Sequence, residues 1–294
     1  MKVIIVGGVA GGATAAARIR RLDEHAEITV YERSGYISYA NCGLPYYIGD
    51  VITDPEELTL QTPESFFKRF RINMKIHHEV ISIHPERKTV SVKNLENGEI
   101  FEENYDKLLL ATGSRPIDLP LPGIDDSRIH TLWTIPDMDA VKKLVGEGVK
   151  KAVVVGGGFI GLETAENLHA CGIEVTIVQH STHVMPIFDR EMAYFIHSEL
   201  AMSGIDVLLN SEVTGFTSTG EAVTVNLKDG AGLSADLVII SAGVKPNSEL
   251  AGDAGLLLGA RGHIQVNKFL QTSDENIYAA GDAIEFTDPI TGTP

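Results

Sequence analysis

Cysteine and long hydrophobic runs are the scarcest features of this sequence. Only two of its 294 residues are cysteines, Cys42 and Cys171. This scarcity argues against a disulfide framework, and a reducing compartment such as the cytoplasm is the expected location. The first apolar run, which begins at Val3, is short and ends at glycines, and no later run approaches the ~20 residues of a membrane-spanning helix. We therefore expect neither a signal sequence nor a membrane span.

Basic residues are also few compared with acidic ones. The chain has 24 Lys and Arg residues against 40 Asp and Glu residues, a formal net charge of -16. Because nucleic-acid binding requires a basic surface that neutralises phosphates, we expect no nucleic-acid partner, and any anionic ligand must be bound by a local cluster. The 44% of hydrophobic residues and the 29 glycines indicate a globular α/β protein of about two domains.

One supersecondary unit occurs twice in the chain. In the first copy an apolar strand leads into the glycine turn 7–12, an alanine-rich helix follows, and a second strand ends at Glu32. In the second copy a valine-rich strand leads into the glycine turn 156–161, and the strand after its helix ends at Gln179. Each copy therefore reads as strand, turn, helix and strand.

This unit has a specific chemical use. Glycines let the backbone approach a pyrophosphate, and the amides and dipole at the helix start bind its negative charge. A carboxylate about 20 residues on, here Glu32, accepts hydrogen bonds from a ribose. Two copies in full context predict two dinucleotide-binding units, although Val9 stands where the first turn usually has its middle glycine.

Other apolar strands indicate how the two units connect. The segments 105–116 and 237–247 each run into a turn of small residues, which predicts crossovers between two nested domains. A later strand ends at Gly281 and Asp282, where a carboxylate can meet a sugar-like chain, with a helix N-cap as the alternative for Asp282. We predict an α/β fold of two nested Rossmann-like dinucleotide-binding domains, with residues 1–113 and 244–294 in the first and residues 114–243 in the second.

Five segments together resemble the flavoprotein pyridine nucleotide-disulfide oxidoreductases, and within them the coenzyme A-disulfide reductase, NADH oxidase and NADH peroxidase branch. They are VGGVAGGATAAARIRRL, SYANCGLPYYIG, LLLATGSRP, VVVGGGFIGLETAENL and NIYAAGDA. The resemblance implies FAD on the first unit and a nicotinamide cofactor on the second. The implied FAD contacts are Gly7, Gly11, Gly12, Glu32, Arg33, Val80, Ala111, Thr112, Gly113, Gly281 and Asp282. The implied NAD(P)H contacts are Gly156, Gly158, Phe159, Ile160, Gly161, Glu163, Gln179, His180 and Gly243.

Cys42 is the candidate catalytic residue. Many relatives carry a redox pair spaced Cys-x4-Cys, but the residue five after Cys42 is Tyr47, so no local disulfide can close. The thiol must react with an external partner, as a mixed disulfide with a small thiol, a persulfide or a sulfenic acid. For Cys171 the expectation is a small buried hydrophobe.

The first glycine loop helps to separate these chemistries. Oxidase and peroxidase relatives typically carry a histidine there, whereas this chain has Ala10, which has no proton to offer. The loop instead resembles the coenzyme A-disulfide reductases and the persulfide or polysulfide reductases. In that branch the positions that line the coenzyme A site correspond to Thr14, Arg18, Arg21, Ser38 and Asn41. Thr14, Arg18 and Arg21 recur at intervals of four and three residues, so they share one helix face, a pattern that is also compatible with a solvated basic face.

The expected function is that of an FAD-dependent enzyme that passes hydride from NAD(P)H through FAD to Cys42, which reduces coenzyme A disulfide or persulfide sulfur. One alternative is an NAD(P)H oxidase or peroxidase that uses Cys42 as a sulfenic acid. The other is a non-catalytic nucleotide-binding redox sensor or an inactive fragment. Gln179 and His180 stand where a carboxylate would repel the phosphate of NADPH, so NADPH is permitted and NADH stays open. We expect no metal site. The resemblance implies that relatives continue beyond residue 294 with a dimerisation domain, so we expect a truncated chain whose full-length parent is a homodimer.

Overall fold

The chain forms two compact units, each assembled from segments that are discontinuous in sequence. The computed structural model describes residues 1–220, 222–288 and 290–292. The first unit consists of Met1–Tyr39, Thr59–Arg115 and Lys245–Pro294, and the second consists of Ala40–Leu58 and Pro116–Val244. The chain therefore leaves each unit and returns to it, as in nested domains.

Several helices begin at clear sequence signals. Thr62 and Thr134 each precede a helix and accept a hydrogen bond from the backbone amide three residues on. A proline in the first turn of both helices favours the same start. The helices are α1 (Ala10–Leu22), α2 (Leu44–Ile48), α3 (Pro63–Phe70), α4 (Ile135–Gly146), α5 (Phe159–Ala170), α6 (Arg190–Ser203) and α7 (Glu249–Asp253). Short 3-10 turns span Asn41–Gly43, Pro55–Leu58 and Pro85–Arg87.

The strands are short and the central ones are continuous apolar runs. The first ten are β1 (Lys2–Val6), β2 (Glu27–Tyr31), β3 (Asn73–Lys75), β4 (His78–His84), β5 (Thr89–Asn94), β6 (Ile100–Asn104), β7 (Lys107–Leu110), β8 (Ser114–Pro116), β9 (Ile129–His130) and β10 (Lys151–Val155). The next ten are β11 (Glu174–Val178), β12 (Asp206–Leu208), β13 (Val213–Ser218), β14 (Val223–Leu227), β15 (Gly232–Ala235), β16 (Leu237–Ile240), β17 (Val244–Pro246), β18 (Ile264–Gln265), β19 (Ile277–Ala279) and β20 (Ile284–Glu285).

The first unit is built on a parallel sheet with the strand order β19-β7-β1-β2-β3. Its central strand β1 is buried on both faces, as its uninterrupted apolar sequence predicts. Val3 and Ile5 pack on the side of α1, whereas Ile4 and Val6 pack into a second cluster that contains Val90 of β5. The glycine turn that follows β1 therefore leaves from the middle of the sheet.

The second unit repeats this plan. Its parallel sheet has the strand order β12-β11-β10-β16-β9, with the valine-rich β10 at the centre. Val153 and Val155 of β10 pack in one cluster with Phe216 of the antiparallel sheet β13-β14-β15. The first unit has the corresponding antiparallel sheet β4-β5-β6, and smaller two-stranded sheets pair β8 with β17 and β18 with β20. The predicted α/β class is confirmed.

Segment 40–58 is the main difference from the sequence-based boundaries, which assign it to the first domain. In the structure it belongs to the second unit. Leu44 and Ile48 of α2 are fully buried, and Gly49 lies against Asn167 of α5, where a β-carbon would stand 2.2 Å from Asn167 Oδ1. No helix in the described part of the chain is long and apolar enough to cross a bilayer.

Candidate functional site

The first glycine turn is closed so tightly that side chains are excluded from it. A β-carbon at Gly12 would lie 1.8 Å from the carbonyl oxygen of Gly7. Gly7 itself has a φ of +101°, and a β-carbon there would lie 2.2 Å from the carbonyl oxygen of Ala111. The turn ends at Val9, and no side chain of the described residues caps the start of α1. The first amides of α1 are therefore left for a ligand, as at an anion-binding helix start.

Glu32 is held at this turn by backbone amides. Its Oε2 accepts a hydrogen bond from the amide of Gly8 at 2.7 Å, and its Oε1 accepts one from the amide of Ser34 at 2.8 Å. The residue is 8% exposed. Each carboxylate oxygen has further acceptor capacity, so the buried carboxylate can also receive the hydroxyls of a ribose.

The small-residue turn after β7 completes the ligand-facing edge of the first unit. Thr112 donates its hydroxyl to the carbonyl oxygen of Asn247 at 2.6 Å, and Ser114 donates to Asp282 at 3.0 Å. Gly113 and Gly281 have φ values of +66° and +79°, and a β-carbon on either would meet no protein atom within 4 Å. Positive φ values that glycine adopts readily, with open space beside them, are what a closely bound ligand requires.

The second glycine turn has the same close geometry. A β-carbon at Gly161 would lie 1.9 Å from the carbonyl oxygen of Gly156 and 2.6 Å from the Ser241 hydroxyl oxygen. That hydroxyl donates to the Gly156 carbonyl at 2.9 Å. At Gly158, by contrast, a β-carbon would meet nothing within 4 Å, and no side chain in the described ranges caps α5 there. This turn likewise presents an open helix start.

Gln179 occupies in the second unit the position that Glu32 has in the first. Its Oε1 accepts a hydrogen bond from the amide of Gly157 at 2.9 Å, and its Nε2 donates to Ser181. Gln179 is 3% exposed, whereas His180, the next residue, is exposed. The two units therefore differ at this position by one negative charge.

Cys42 lies in the second unit on a compact loop. The loop is closed by the amide of Ala40, which donates to the carbonyl oxygen of Leu58 at 2.8 Å. Gly43 has no room for a side chain, because a β-carbon there would lie 2.4 Å from Cδ2 of Leu58. Cys42 stands just before this glycine, and its thiol is exposed. A buried scaffold thus presents an accessible thiol.

The acidic face of α5 influences this loop. The pKa of Glu163 is raised by burial and by the nearby Glu166. The pKa of Tyr46 is raised by the negative charge of Glu163 first, then by burial, Glu166 and Cys42. Tyr46 follows Cys42 by four residues, so the tyrosine, the cysteine and Glu163 share one electrostatic environment.

The residues expected to line a coenzyme A site are divided between the units. Thr14, Arg18 and Arg21 are exposed on α1 at intervals of four and three residues, on one helix face. Ser38 is brought to the first glycine turn because its amide donates to the carbonyl oxygen of Gly8 at 3.0 Å. Asn41 belongs to the second unit, directly before Cys42.

The remaining candidate residues differ in how exposed they are. Arg33 is exposed next to Glu32, whereas the Val80 side chain is 6% exposed and belongs to the core, so only its backbone can face a ligand. Phe159 is 60% exposed at the start of α5, and Ile160 is half-buried. Gly11 lies next to Ala111 and Ala280. Gly243, with a φ of +113°, lies next to Ile117.

Cys171 differs from its expectation as a buried hydrophobe. It is only partly buried, and its Sγ donates to the carbonyl oxygen of Ile48 at 3.5 Å. Burial raises the pKa of this thiol. No group of three or more metal-ligating side chains is found within the described residues.

Sequence reasoning missed the serines that support the turns. Ser114 holds Asp282, and Ser241 fills the space behind the second glycine turn. Both lie in the small-residue turns after β7 and β16 that the sequence marked as crossovers. Their position beside glycines was the available signal, but their partners are distant in sequence and could not be read from it.

Two glycine turns, each followed by a helix and by a buried amide-bound acceptor at the end of the next strand, define a protein with two dinucleotide-binding Rossmann folds. Comparison with known proteins agrees. The chain belongs to the pyridine nucleotide-disulphide oxidoreductase family, whose model matches residues 1–292.

Three similar proteins carry informative names. The chain is 39% identical over 287 residues to a coenzyme A disulfide reductase of Staphylococcus haemolyticus, covering 97% of this chain and 64% of that protein. The reduced Bacillus anthracis CoADR-RHD superposes with a TM-score of 0.96 at 46% identity, over 99% of this chain and 52% of that one. A NAD-dependent persulfide reductase from A. fulgidus has a TM-score of 0.96 at 40% identity, over 100% of this chain and 55% of that one. The chain thus spans between half and two thirds of the length of these relatives.

Proposed function

We propose that this chain is the two-nucleotide part of an FAD-dependent enzyme that uses NAD(P)H to reduce coenzyme A disulfide, or the sulfane sulfur of a persulfide or polysulfide, at Cys42. The observation that carries the proposal is the exposed Cys42, which has no second cysteine near it in sequence and belongs to a chain with two dinucleotide turns. The names of the similar proteins support the same substrate class.

The thiol chemistry balances without a second cysteine in the protein. The Cys42 thiolate attacks one sulfur of R–S–S–R, so a Cys42–S–S–R bond forms, the R–S–S–R bond breaks and one thiolate leaves. Two electrons then cleave the mixed disulfide, which releases the second thiolate and restores Cys42. NAD(P)H is the source of those electrons and leaves as NAD(P)⁺. With a persulfide or polysulfide, attack on the sulfane sulfur leaves the extra sulfur on Cys42.

The first turn has the features that FAD binding requires. Gly7 and Gly12 allow the pyrophosphate to approach the open start of α1, and Glu32 offers its buried carboxylate to the ribose. Gly113 and Gly281 leave space where a side chain would intrude. When bound, FAD supplies the two-electron transfer between the nicotinamide and the sulfur substrate.

The second turn suits NAD(P)H, and the neutral Gln179 admits NADPH as well as NADH. A carboxylate at this position would repel the phosphate on the adenosine ribose, but Gln179 carries no charge. Exposed His180 lines a cavity of about 580 Å³ together with Asn210, Ser211, Lys228 and the carboxylates of Glu212 and Asp229. Lys228 is paired with Glu212 at 2.6 Å. The carboxylates of Glu212 and Asp229 oppose a phosphate in this cavity, so His180 is the candidate phosphate contact only because it directly follows Gln179.

Coenzyme A would be recognised through the basic face of α1. Arg18 and Arg21 are exposed on that face with Thr14, and they would bind the phosphates of the ligand. We also propose a cytoplasmic location, supported by the free thiols of Cys42 and Cys171, and a homodimer for the full-length protein, supported by the resemblance.

An oxidase or peroxidase that uses Cys42 as a sulfenic acid is the alternative. At Ala10 a methyl group stands exposed at the start of α1, where a histidine would supply a proton for oxygen chemistry. The reductase therefore accounts better for this loop.

An anaerobic absorbance titration tests the proposal. The FAD-loaded protein is reduced with NADH or with NADPH and then mixed with coenzyme A disulfide, polysulfide or oxygen. We expect bleaching with either nucleotide and rapid reoxidation by a sulfur substrate. Faster reoxidation by oxygen would favour the oxidase, and failure to bind FAD would favour the sensor.

Substitution of the two cysteines identifies the reacting thiol. Cys42→Ser should abolish sulfur reduction and preserve bleaching by NAD(P)H, because only the thiol step is removed. Cys171→Ser is the matched control and should retain both activities, because the serine hydroxyl keeps a donor for the Ile48 carbonyl that Cys171 Sγ contacts. Full turnover by Cys42→Ser would refute the scheme.

A further inference from the structure

The helix that follows Cys42 is too short to hold its own conformation. α2 has five residues, and isolated helices below ~12 residues are marginal in water. The 3-10 turn that contains Cys42 runs directly into α2, and the amide of Leu44 donates to the carbonyl oxygen of Asn41. Cys42 therefore moves together with α2, and tertiary contacts must fix them both.

One of these contacts is a cation at the C-terminal end of α2. The ammonium group of Lys142, on α4, donates to the carbonyl oxygen of Ile48 at 2.9 Å. The same ammonium group binds Asp50 Oδ1 at 2.7 Å, just beyond the helix end. A positive charge at a helix C-terminus stabilises its unpaired carbonyls. The Lys142 side chain is 26% exposed and the Asp50 side chain is 68% exposed, so water screens the ion pair with Asp50 more than the hydrogen bond to the Ile48 carbonyl.

Other side chains of the second unit complete this anchor. Cys171 Sγ is a second donor to the Ile48 carbonyl, at 3.5 Å. Asn167 is 3% exposed and donates from Nδ2 to the Glu163 carbonyl at 2.8 Å, so it forms a fixed surface against Gly49. Helices α4 and α5 therefore determine where α2 ends.

We propose that Lys142 is a positioning residue for Cys42: by binding the Ile48 carbonyl and Asp50, it fixes the helix that directly follows the reactive thiol. This proposal rests on the proposed function. The contacts described for Lys142 are with Ile48, Asp50 and the Tyr47 ring, so its contribution to catalysis is to keep the Cys42 thiol in the orientation that a docked disulfide requires. Such alignment has a large effect on the reaction rate, because a displacement of the reacting group by about 1 Å can lower the rate up to about a hundredfold.

Three variants test the anchor. Lys142→Met keeps the length of the side chain and removes its donors, and Lys142→Arg restores donors to the same position. Lys143→Met is the matched control, because Lys143 is the next residue on α4, is 75% exposed and pairs only weakly with Glu147 at 3.8 Å. Asp50→Asn is a milder second variant, and asparagine tolerates the φ of +59° at this position.

The measurement is a single turnover without NAD(P)H. Protein with a free Cys42 thiol and oxidised FAD is mixed with increasing concentrations of coenzyme A disulfide. The Cys42 adduct is followed by mass spectrometry. We expect Lys142→Met to lower the maximal rate about tenfold and to leave the half-saturating concentration within about twofold, since misalignment affects attack more than binding. Lys142→Arg should recover most of the rate, Asp50→Asn should be intermediate, and Lys143→Met should match the parent.

Alkylation of Cys42 by iodoacetamide separates positioning from loss of fold. This small reagent needs no docking, so an exposed thiol should react equally in all variants. A Lys142→Met protein that reacts with the disulfide as fast as Lys143→Met would overturn the proposal. So would a parallel loss of alkylation and thermal stability that arginine does not rescue. If the parent protein itself forms no adduct, the proposed function fails, and this proposal fails with it.

Discussion

Replacing Gly161 with alanine would place a methyl carbon 1.9 Å from the Gly156 carbonyl oxygen and 2.6 Å from the Ser241 hydroxyl oxygen. A rotation of the Ser241 side chain can relieve only the second contact, because the nearer atom, the Gly156 carbonyl oxygen, belongs to the backbone. The Gly156 carbonyl cannot retreat easily, since Gly156 has a φ of +110° and its amide is bound to the Val178 carbonyl at 2.9 Å. The turn must open, and α5 must move away from the sheet.

The loss of unfolding free energy can be estimated from the place where the methyl group clashes. Overpacking of a buried site costs about 1–3 kcal/mol, and a backbone contact belongs at the upper end of that range. For a domain of about 150 residues or more, each kcal/mol lowers the melting temperature by about 2–4 °C. We therefore expect Gly161→Ala to lower the melting temperature of the second unit by about 6–12 °C.

Gly158→Ala is the matched control, because a β-carbon there meets no protein atom within 4 Å and the backbone has a negative φ of -85°. Its melting temperature should stay close to that of the parent. Its KM for NAD(P)H should nevertheless rise, because the methyl group points into the space expected for the pyrophosphate. Calorimetry and initial-rate kinetics measure the two effects. Equal melting temperatures for the two variants would refute the reasoning about the closed turn.

Two further substitutions test other parts of the structure. Glu32→Ala removes the acceptor of the Gly8 and Ser34 amides, so we expect a loss of about 1–3 kcal/mol in stability and release of FAD on gel filtration; retention of FAD as in the parent would contradict the ribose role. Asp126→Asn tests an ion pair, because Arg128 holds the pKa of Asp126 well below its usual value near 3.9. A carboxylate with a lowered folded pKa stabilises the protein above its unfolded pKa, and that stability is lost as the pH falls. The variant should thus show a flatter acid decline in melting temperature between about pH 5 and pH 2, and an unchanged decline would contradict the role of this pair.

The sequence predicted the parts of this protein that depend on local pattern. The two strand-turn-helix repeats could be recognised because glycine positions and apolar strands are encoded within about 30 residues. Glu32 and Gln179 were found for the same reason, since each lies at the end of the second strand of its repeat. The structure adds the atom that fixes each one, the amide of Gly8 or Gly157.

What could not be predicted depends on contacts between distant segments. The segment 40–58 precedes β3 in sequence, and nothing local indicates that α2 packs on α4 and α5. The contact of Lys142 with the Ile48 carbonyl joins residues 94 positions apart. An exposed lysine pattern on α4 gives no hint of such a partner, because most charged residues on helix surfaces are solvated.

Glu32 and Gln179 show that the glycine turn and the ligand make different demands on the residue at this position. The glycine turn needs an acceptor for its second amide, and a carboxylate and a carboxamide oxygen both satisfy it at closely similar distances, 2.7 Å and 2.9 Å. The fold is therefore indifferent to the charge at this position. The ligand is not, because a negative charge repels a phosphate on the ribose and a neutral amide does not. The end of β11 can accordingly change cofactor preference without loss of the turn, and this is why the second unit can carry Gln179 and still keep the geometry of the first.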